Sequence, residues 1–279
     1  MSIPPALRTL AWSRIALGVV ALVRTTPLME KLDPTLGAEC HPLRGWPVPG
    51  VMQTAAPGLA LGAGTIQALC IVRTLSLVAF ALGAYTRIAG LVAAISGYLV
   101  IAQSSFGFTF TQHLLFLGVL VLSLTDAGTT LALVPDRVRT PVTGHWLVWV
   151  FTASIYPWAA IAKLRWDWFD GRTLELFGND GKLRGPLASL FAGTPTRRAL
   201  SGPMIVIAEF ALLPLLLYPR TRTVGLVAAI GLHVGIETVA RPDVFGWAMI
   251  ALLLSFVPLR DAATEAREAQ GTGGVSQRA

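Results

Sequence analysis

Charge is scarce in this chain. Of its 279 residues only 13% are Asp, Glu, Lys or Arg, about half the share usual in a soluble domain. No long polar stretch interrupts the apolar ones, so a separate water-soluble domain is not expected. Only two cysteines occur, Cys40 and Cys70. There is no C-x-x-C pair, which removes zinc-ribbon and dithiol-redox chemistry. Both cysteines fall near one membrane face, where a disulfide would persist, but two unpaired small side chains are the preferred reading. H-E-x-x-H, G-x-S-x-G and the phosphate-binding loop are all missing. The four histidines are scattered over loops and separate apolar runs, so spacing supports no metal site. No basic run is interleaved with aromatics, so the net charge of +7 does not point to nucleic acid.

What is present is hydrocarbon. Hydrophobic residues make up 54% of the chain and the mean hydropathy is +0.64. A membrane-spanning helix needs about 20 mostly apolar residues. Eight runs qualify, roughly 8–26, 64–84, 88–105, 112–133, 143–163, 202–219, 222–240 and 243–259. The expectation is an all-α integral membrane protein, a bundle of about eight transmembrane helices occupying residues 1–260. The polar residues 261–279 are expected to form a disordered tail. The first run resembles a signal peptide, but Arg14 interrupts it and no A-x-A-like site follows closely, so it reads as a retained span. Connections as short as Pro219 to Thr221 predict tight helical hairpins.

Two longer polar segments remain. One, Glu30 to Pro57, holds Cys40, His41 and Trp46. The other, 164–200, mixes basic residues with Asp167, Asp170, Glu175 and Asp180. Within it Leu183, Leu187, Leu190 and Phe191 recur at helical spacing, which predicts a short helix lying on the membrane surface. Lysine and arginine in short loops set orientation. Arg87, Arg137, Arg139, Arg220 and Arg222 gather on one side, which places both termini on the cytoplasmic side of the membrane. The basic 164–200 loop then faces outward, against the charge rule.

Ionisable groups inside apolar runs are costly and usually mark a site. Glu209 sits among Ile205, Val206, Ile207 and Phe210. His233, Glu237 and Arg241 follow one another every four residues, a stripe on one helical face. His113 opens the fourth run beside Gln112. Arg14 and Arg73 either snorkel or pair with Glu209 or Asp126. A helix-packing network is the alternative for Glu209, His233, Glu237 and Arg241, and a plain interfacial polar residue is the alternative for His113. The most informative stretch is Tyr156 to Gly171, where an apolar helix ends at Lys163. Desolvation disfavours an ammonium, so a lysine held in apolar surroundings can serve as a base. Trp146 and Trp149 read as an aromatic belt. For Trp166 and Trp168, beside Lys163, a belt and the wall of a flat hydrophobic pocket weigh equally.

Three blocks at these residues resemble the membrane domain of vitamin K-dependent gamma-carboxylases and their broader relatives, the HTTM (horizontally transferred transmembrane) family. Ala159 to Gly171 carries A-x-x-x-K-L-x-x-D-W-x-x-G, with Lys163 on the family's proposed base. Ala162 stands where the carboxylase has a second lysine. Gln112-His113, a long apolar run and Asp126 resemble an Asn-His element, with Gln112 in place of asparagine. Glu209, the turn Pro219 to Leu226 and His233 keep the spacing of an acid, a basic turn and a histidine, where the carboxylase has aspartate for Glu209. The likeness runs from about residue 60 to 258. The 279 residues match only the membrane part of the eukaryotic carboxylases and not their large lumenal region.

The resemblance implies a carboxylase/epoxidase-type lyase using a reduced vitamin K-type quinone (menaquinol). Lys163 would deprotonate the hydroquinone, aided by His113. Oxygen would drive epoxidation, and the base so formed would carboxylate a peptide or small substrate with carbon dioxide. Trp166, Trp168, Gln112, His233 and Glu209 are the expected quinone- or substrate-binding residues, with no metal. Lipid, quinone and a peptide are the expected partners. The alternatives are a non-enzymatic membrane protein for peptide maturation or lipid binding, and a DoxX-like quinone-interacting subunit.

Overall fold

A computed structural model describes residues 5–25, 61–103, 110–137, 143–183, 187–239 and 244–257. The Glu30 to Pro57 segment, Cys40, Arg241 and the 261–279 tail lie outside these residues. The described chain is helical. Its long helices are α1 (Pro5–Thr25), α2 (Ala63–Leu82), α3 (Thr86–Ala102), α4 (Phe110–Ser123) and α5 (Thr143–Ala162). Three short ones follow: α6 (Trp166–Phe169), α7 (Arg172–Asn179) and α8 (Ala188–Ala192). Then come α9 (Pro195–Leu217), α10 (Arg222–Val239) and α11 (Phe245–Leu253), the last ending in a 3₁₀ turn, Leu254–Phe256. Each of the eight apolar runs therefore coincides with a helix. By length and composition three of them, Gly64–Leu82, Pro195–Leu217 and Arg222–Val239, can cross a membrane unaided. Three more apolar helices are only 10–17 residues long.

The packing inverts the arrangement of a water-soluble protein. On α3 the large side chains Ile88, Val92 and Ile95 are exposed, while Ala89, Ala93, Gly97 and Val100 are buried. Small residues inside let backbones approach, and the big apolar ones face lipid. A Cβ at Gly97 would lie 2.2 Å from the Phe116 ring of α4. Exposed Met204 and Ile207 on α9, and Val224 and Val227 on α10, repeat the pattern. At the centre, α1 packs against α2, α4 and α11. Its Leu10, Leu17 and Ala21 are buried with Leu77, Phe80, Val119 and Met249.

Arg14 belongs to this core. It neither snorkels nor pairs with Glu209 or Asp126. Its guanidinium donates to the carbonyl oxygens of Ala127 (2.7 Å), Thr130 (3.4 Å) and Leu131, which clamps the turn after α4 onto α1. Asp126 instead accepts from Arg87 at 2.9 Å, and Arg73 donates to the Thr25 carbonyl at 2.9 Å. Hydrogen bonds from a charged donor contribute about 1.5–3 kcal/mol each, and a stranded buried carbonyl costs about 1–3 kcal/mol. Arg14→Met should therefore lower stability in detergent by roughly 2–3 kcal/mol, read as an earlier midpoint of chemical unfolding.

The 164–200 segment departs from expectation. In place of a single surface helix through Leu183, Leu187, Leu190 and Phe191, it holds α6, α7 and α8. Leu183 lies beyond the end of α7 and Leu187 only caps α8. Gly171 precedes α7 and Gly193 ends α8. Cys70 is a free, buried thiol.

Candidate functional site

Alternating helix direction collects the chemistry at one end of the bundle. The C-terminal ends of α3, α5 and α10 and the N-terminal ends of α4, α9 and α11 lie on the same side as the 164–194 segment. Lys163, His113, Glu237 and Tyr98 are therefore at that end, with His233 and Glu209 deeper. Arg87, Asp126, Arg222 and Trp149 mark the opposite end.

Lys163 follows the last turn of α5. Helix C-termini carry unpaired carbonyls and a partial negative charge, and the lysine amine returns to donate to the Ala159 carbonyl at 3.2 Å. It also donates to both carboxylate oxygens of Glu209 on α9, at 2.7 and 2.9 Å. The side chains are 20% and 7% exposed. The amine lies 5.5 Å from the Trp168 ring centroid. Lys163 thus has a counter-ion and an aromatic neighbour at the bundle margin.

The turn that delivers Trp168 depends on two glycines. Gly171 adopts φ 81°, a left-handed conformation that other residues resist. A Cβ there would lie 2.6 Å from that of Arg198. Gly202, about two turns into α9, takes the Trp168 carbonyl against its own backbone, leaving only 1.8 Å to a would-be Cβ. Thr194 caps α9 by accepting from the Arg197 N–H at 3.3 Å, and Pro195 occupies the first turn, where its missing N–H is harmless. Arg198 pairs with Glu175 of α7 at 3.3 Å. These contacts hold α6 and α7 over the α5–α9 pair. Trp168 meets Phe177 edge-on, whereas Trp166 is 79% exposed and stands clear of the amine.

A second cluster sits beneath. Tyr156 lies seven residues before Lys163, on the same helical face and about 10 Å deeper. Its Oη is 3.0 Å from His233 Nε2. Both residues are 2% exposed, and Tyr156 lies within electrostatic range of Glu209. The His233 ring meets Phe245 of α11 at 5.5 Å, and Phe245 meets Phe110 at 5.6 Å. This aromatic chain reaches the start of α4, where His113 sits. His113 Nδ1 is 3.3 Å from Tyr98 Oη. Tyr98 also lines an apolar groove of about 350 Å³ with Ala94, Ile95, Leu99, Ala102 and Leu120. Gln112 is buried in the same turn.

The expected residues are therefore not brought into one contact. Lys163, Glu209 and Trp168 meet directly, His233 lies beneath through Tyr156, and His113 with Gln112 stands on α4 against α3. Glu237 has a capping role, accepting the Gly246 N–H at the start of α11 at 3.0 Å. Trp149 is not simply a belt residue. It donates to the Ser255 carbonyl at 2.9 Å, stacks on Phe256 and receives the Arg222 guanidinium 3.9 Å from its ring. Trp146 is exposed. Tyr156 escaped notice in the sequence, although a tyrosine in an apolar run must find a partner for its hydroxyl and its spacing from Lys163 was visible. Among the described residues no group of three metal-ligating side chains forms.

A profile of the HTTM domain matches residues 59–260. The chain belongs to the HTTM family. No curated protein and no solved structure matches it. All three blocks noted in the sequence fall inside the HTTM match. Their geometry differs in kind: the first and third meet at the Lys163–Glu209 pair, while the second stands on α4.

Proposed function

We propose that this HTTM protein is a quinol-linked membrane enzyme in which Lys163 is the base. The carrying observation is the bidentate Lys163–Glu209 pair with the Trp168 ring beside it. A partly buried ammonium paired with a buried carboxylate forms one acid–base unit, because a proton can reside on either partner. Glu209 can take the proton that Lys163 must lose before it acts, and can return it. The Lys163 side chain is still 20% exposed, which leaves it at the margin of the bundle rather than sealed inside.

The residues present fit a flat, apolar molecule with polar oxygens. Trp168 offers an aromatic face, and His233 Nδ1 is a buried polar atom without a hydrogen-bond partner. A vitamin K-type hydroquinone would supply an acidic phenol and reducing electrons. Lys163 accepts the phenolic proton at Nζ, Glu209 holds the amine in place, and Trp168 excludes water from one side. His113 acts from α4. Exposed apolar side chains on α9 and α10 support entry from lipid. We also assign eight spans with both termini cytoplasmic, in a bacterial plasma membrane. Carbon dioxide capture by a peptide or small substrate is the further step this reading entails.

The test uses the full chain in lipid with menaquinol and oxygen, following quinol oxidation and epoxide. General-base catalysis contributes about 10²–10⁴-fold, so Lys163→Ala should lose at least that factor. Unchanged turnover in this variant overturns the reading. One fact favours a non-enzymatic role: with three acceptors, the Lys163 ammonium already has its full complement of hydrogen bonds. That role, including lipid binding or peptide maturation, predicts no quinol oxidation by the unaltered protein. A DoxX-like subunit would bind quinone without forming epoxide.

A further inference from the structure

The Tyr156–His233 pair has a chemistry that the Lys163 base does not use. Each side chain is only 2% exposed. Among the described residues the Tyr156 hydroxyl has a single partner, His233 Nε2 at 3.0 Å. A buried hydroxyl that accepted from Nε2–H would leave its own proton without an acceptor, which is costly. Donation from Tyr156 to Nε2 satisfies both groups. Nε2 is then the bare nitrogen, and the proton of the neutral ring must sit on Nδ1. Nδ1 is a buried atom with no protein partner. Phe245 meets the ring edge-on at 5.5 Å and supplies no acceptor. The ring is thus fixed as a hydrogen-bond donor, and among the described residues no group accepts from it.

We infer that Tyr156 is a positioning residue, which locks His233 as an Nδ1–H donor to an oxygen of the flat ligand. The inference rests on the reading of the site as one for a quinone. It adds a specificity element: an aromatic carrier with a carbonyl or phenolic oxygen completes the donor, and a hydrocarbon of the same shape leaves it unmet. Sites with a buried polar group discriminate strongly against analogues lacking its partner. An ordered water could take the same bond, and the experiment separates the two.

The chain has four histidines, so ¹⁵N-histidine labelling in lipid nanodiscs gives few signals. His233→Gln identifies the His233 pair by its loss. The expected result is a bare Nε2 and a protonated Nδ1 in the unaltered protein. Tyr156→Phe should shift the ring towards the other tautomer and leave the remaining imidazoles in place. Addition of menadione, a naphthoquinone without a tail, should move the Nδ1 signal in the unaltered protein. 2-Methylnaphthalene, the same shape without oxygens, should not. A protonated Nε2 in the unaltered protein, or signals indifferent to Tyr156→Phe, overturns the inference. A correct tautomer that ignores menadione also overturns it, because water is then the partner. None of these readouts needs turnover. An Nδ1 that responds to menadione while Lys163→Ala keeps full activity would remove the catalytic reading and leave the donor standing.

Discussion

Lys163→Ala should reduce the free energy of unfolding by about 3–5 kcal/mol, the usual consequence of leaving one member of a buried ion pair alone. The carboxylate of Glu209 is 7% exposed and its two oxygens both face the amine, at 2.7 and 2.9 Å. Removing the cation leaves a charge that neither lipid nor the apolar neighbours on α9 can solvate. Adding Glu209→Gln to Lys163→Ala should recover most of that loss, because a neutral amide needs no counter-ion. The double variant should still lack quinol oxidation, and this separates chemistry from folding. Denaturant titration of the two single variants and the double variant gives the coupling energy directly. A loss below about 1 kcal/mol for Lys163→Ala would mean that the pair is solvated like a surface one and would count against a desolvated base.

Gly202→Ala should damage the site from a distance. The new methyl would stand 1.8 Å from the Trp168 carbonyl oxygen, closer than any contact allows. Both atoms belong to backbone-anchored positions, so a side-chain rotation cannot relieve the clash. Overpacking of this kind costs about 1–3 kcal/mol. Either α6 lifts from α9 or α9 shifts along α5, and both moves change the separation of Trp168 from the Lys163 amine. A displacement of about 1 Å in a positioned group can cost about 10²-fold in rate. Quinol oxidation should therefore fall by about that factor while the helical circular dichroism signal is retained. Ala208→Gly, an exposed position on the same helix, is the control and should leave turnover close to that of the unaltered protein. Full activity in Gly202→Ala would show that the Trp168 turn is not coupled to the site.

How legible was this molecule beforehand? The helices were legible in outline, since each apolar run coincides with one, although α4 ends at Ser123 rather than 133 and α9 begins at Pro195 rather than 202. Hydrocarbon content and 3.6-residue periodicity are local properties, and they need no knowledge of partners. Lys163 was legible as a charge at the end of an apolar helix. Gly171 was present in the motif, but nothing in the spacing said that Gly202, 34 positions after Trp168, would receive its carbonyl. The surface helix through Leu183 to Phe191 failed because periodicity alone ignores Gly185 and Pro186, a glycine–proline pair inside that run of the sequence. Arg14 was open between two readings, and neither was the outcome. Main-chain carbonyls, which carry no sequence signal, took the charge instead.

Composition and period alone determined that this chain is helical, that it is built for lipid, and where its few charged and polar side chains fall along each helix. The tertiary structure alone decided who meets whom. Lys163 finds Glu209 across 46 positions and Tyr156 finds His233 across 77, while Asp126 goes to Arg87 rather than to Arg14. The reason is physical. A helix satisfies its own backbone, so its side-chain polar groups are the part left over, and in a medium that offers no hydrogen bonds they take whichever partner the packing of small residues brings within 3 Å.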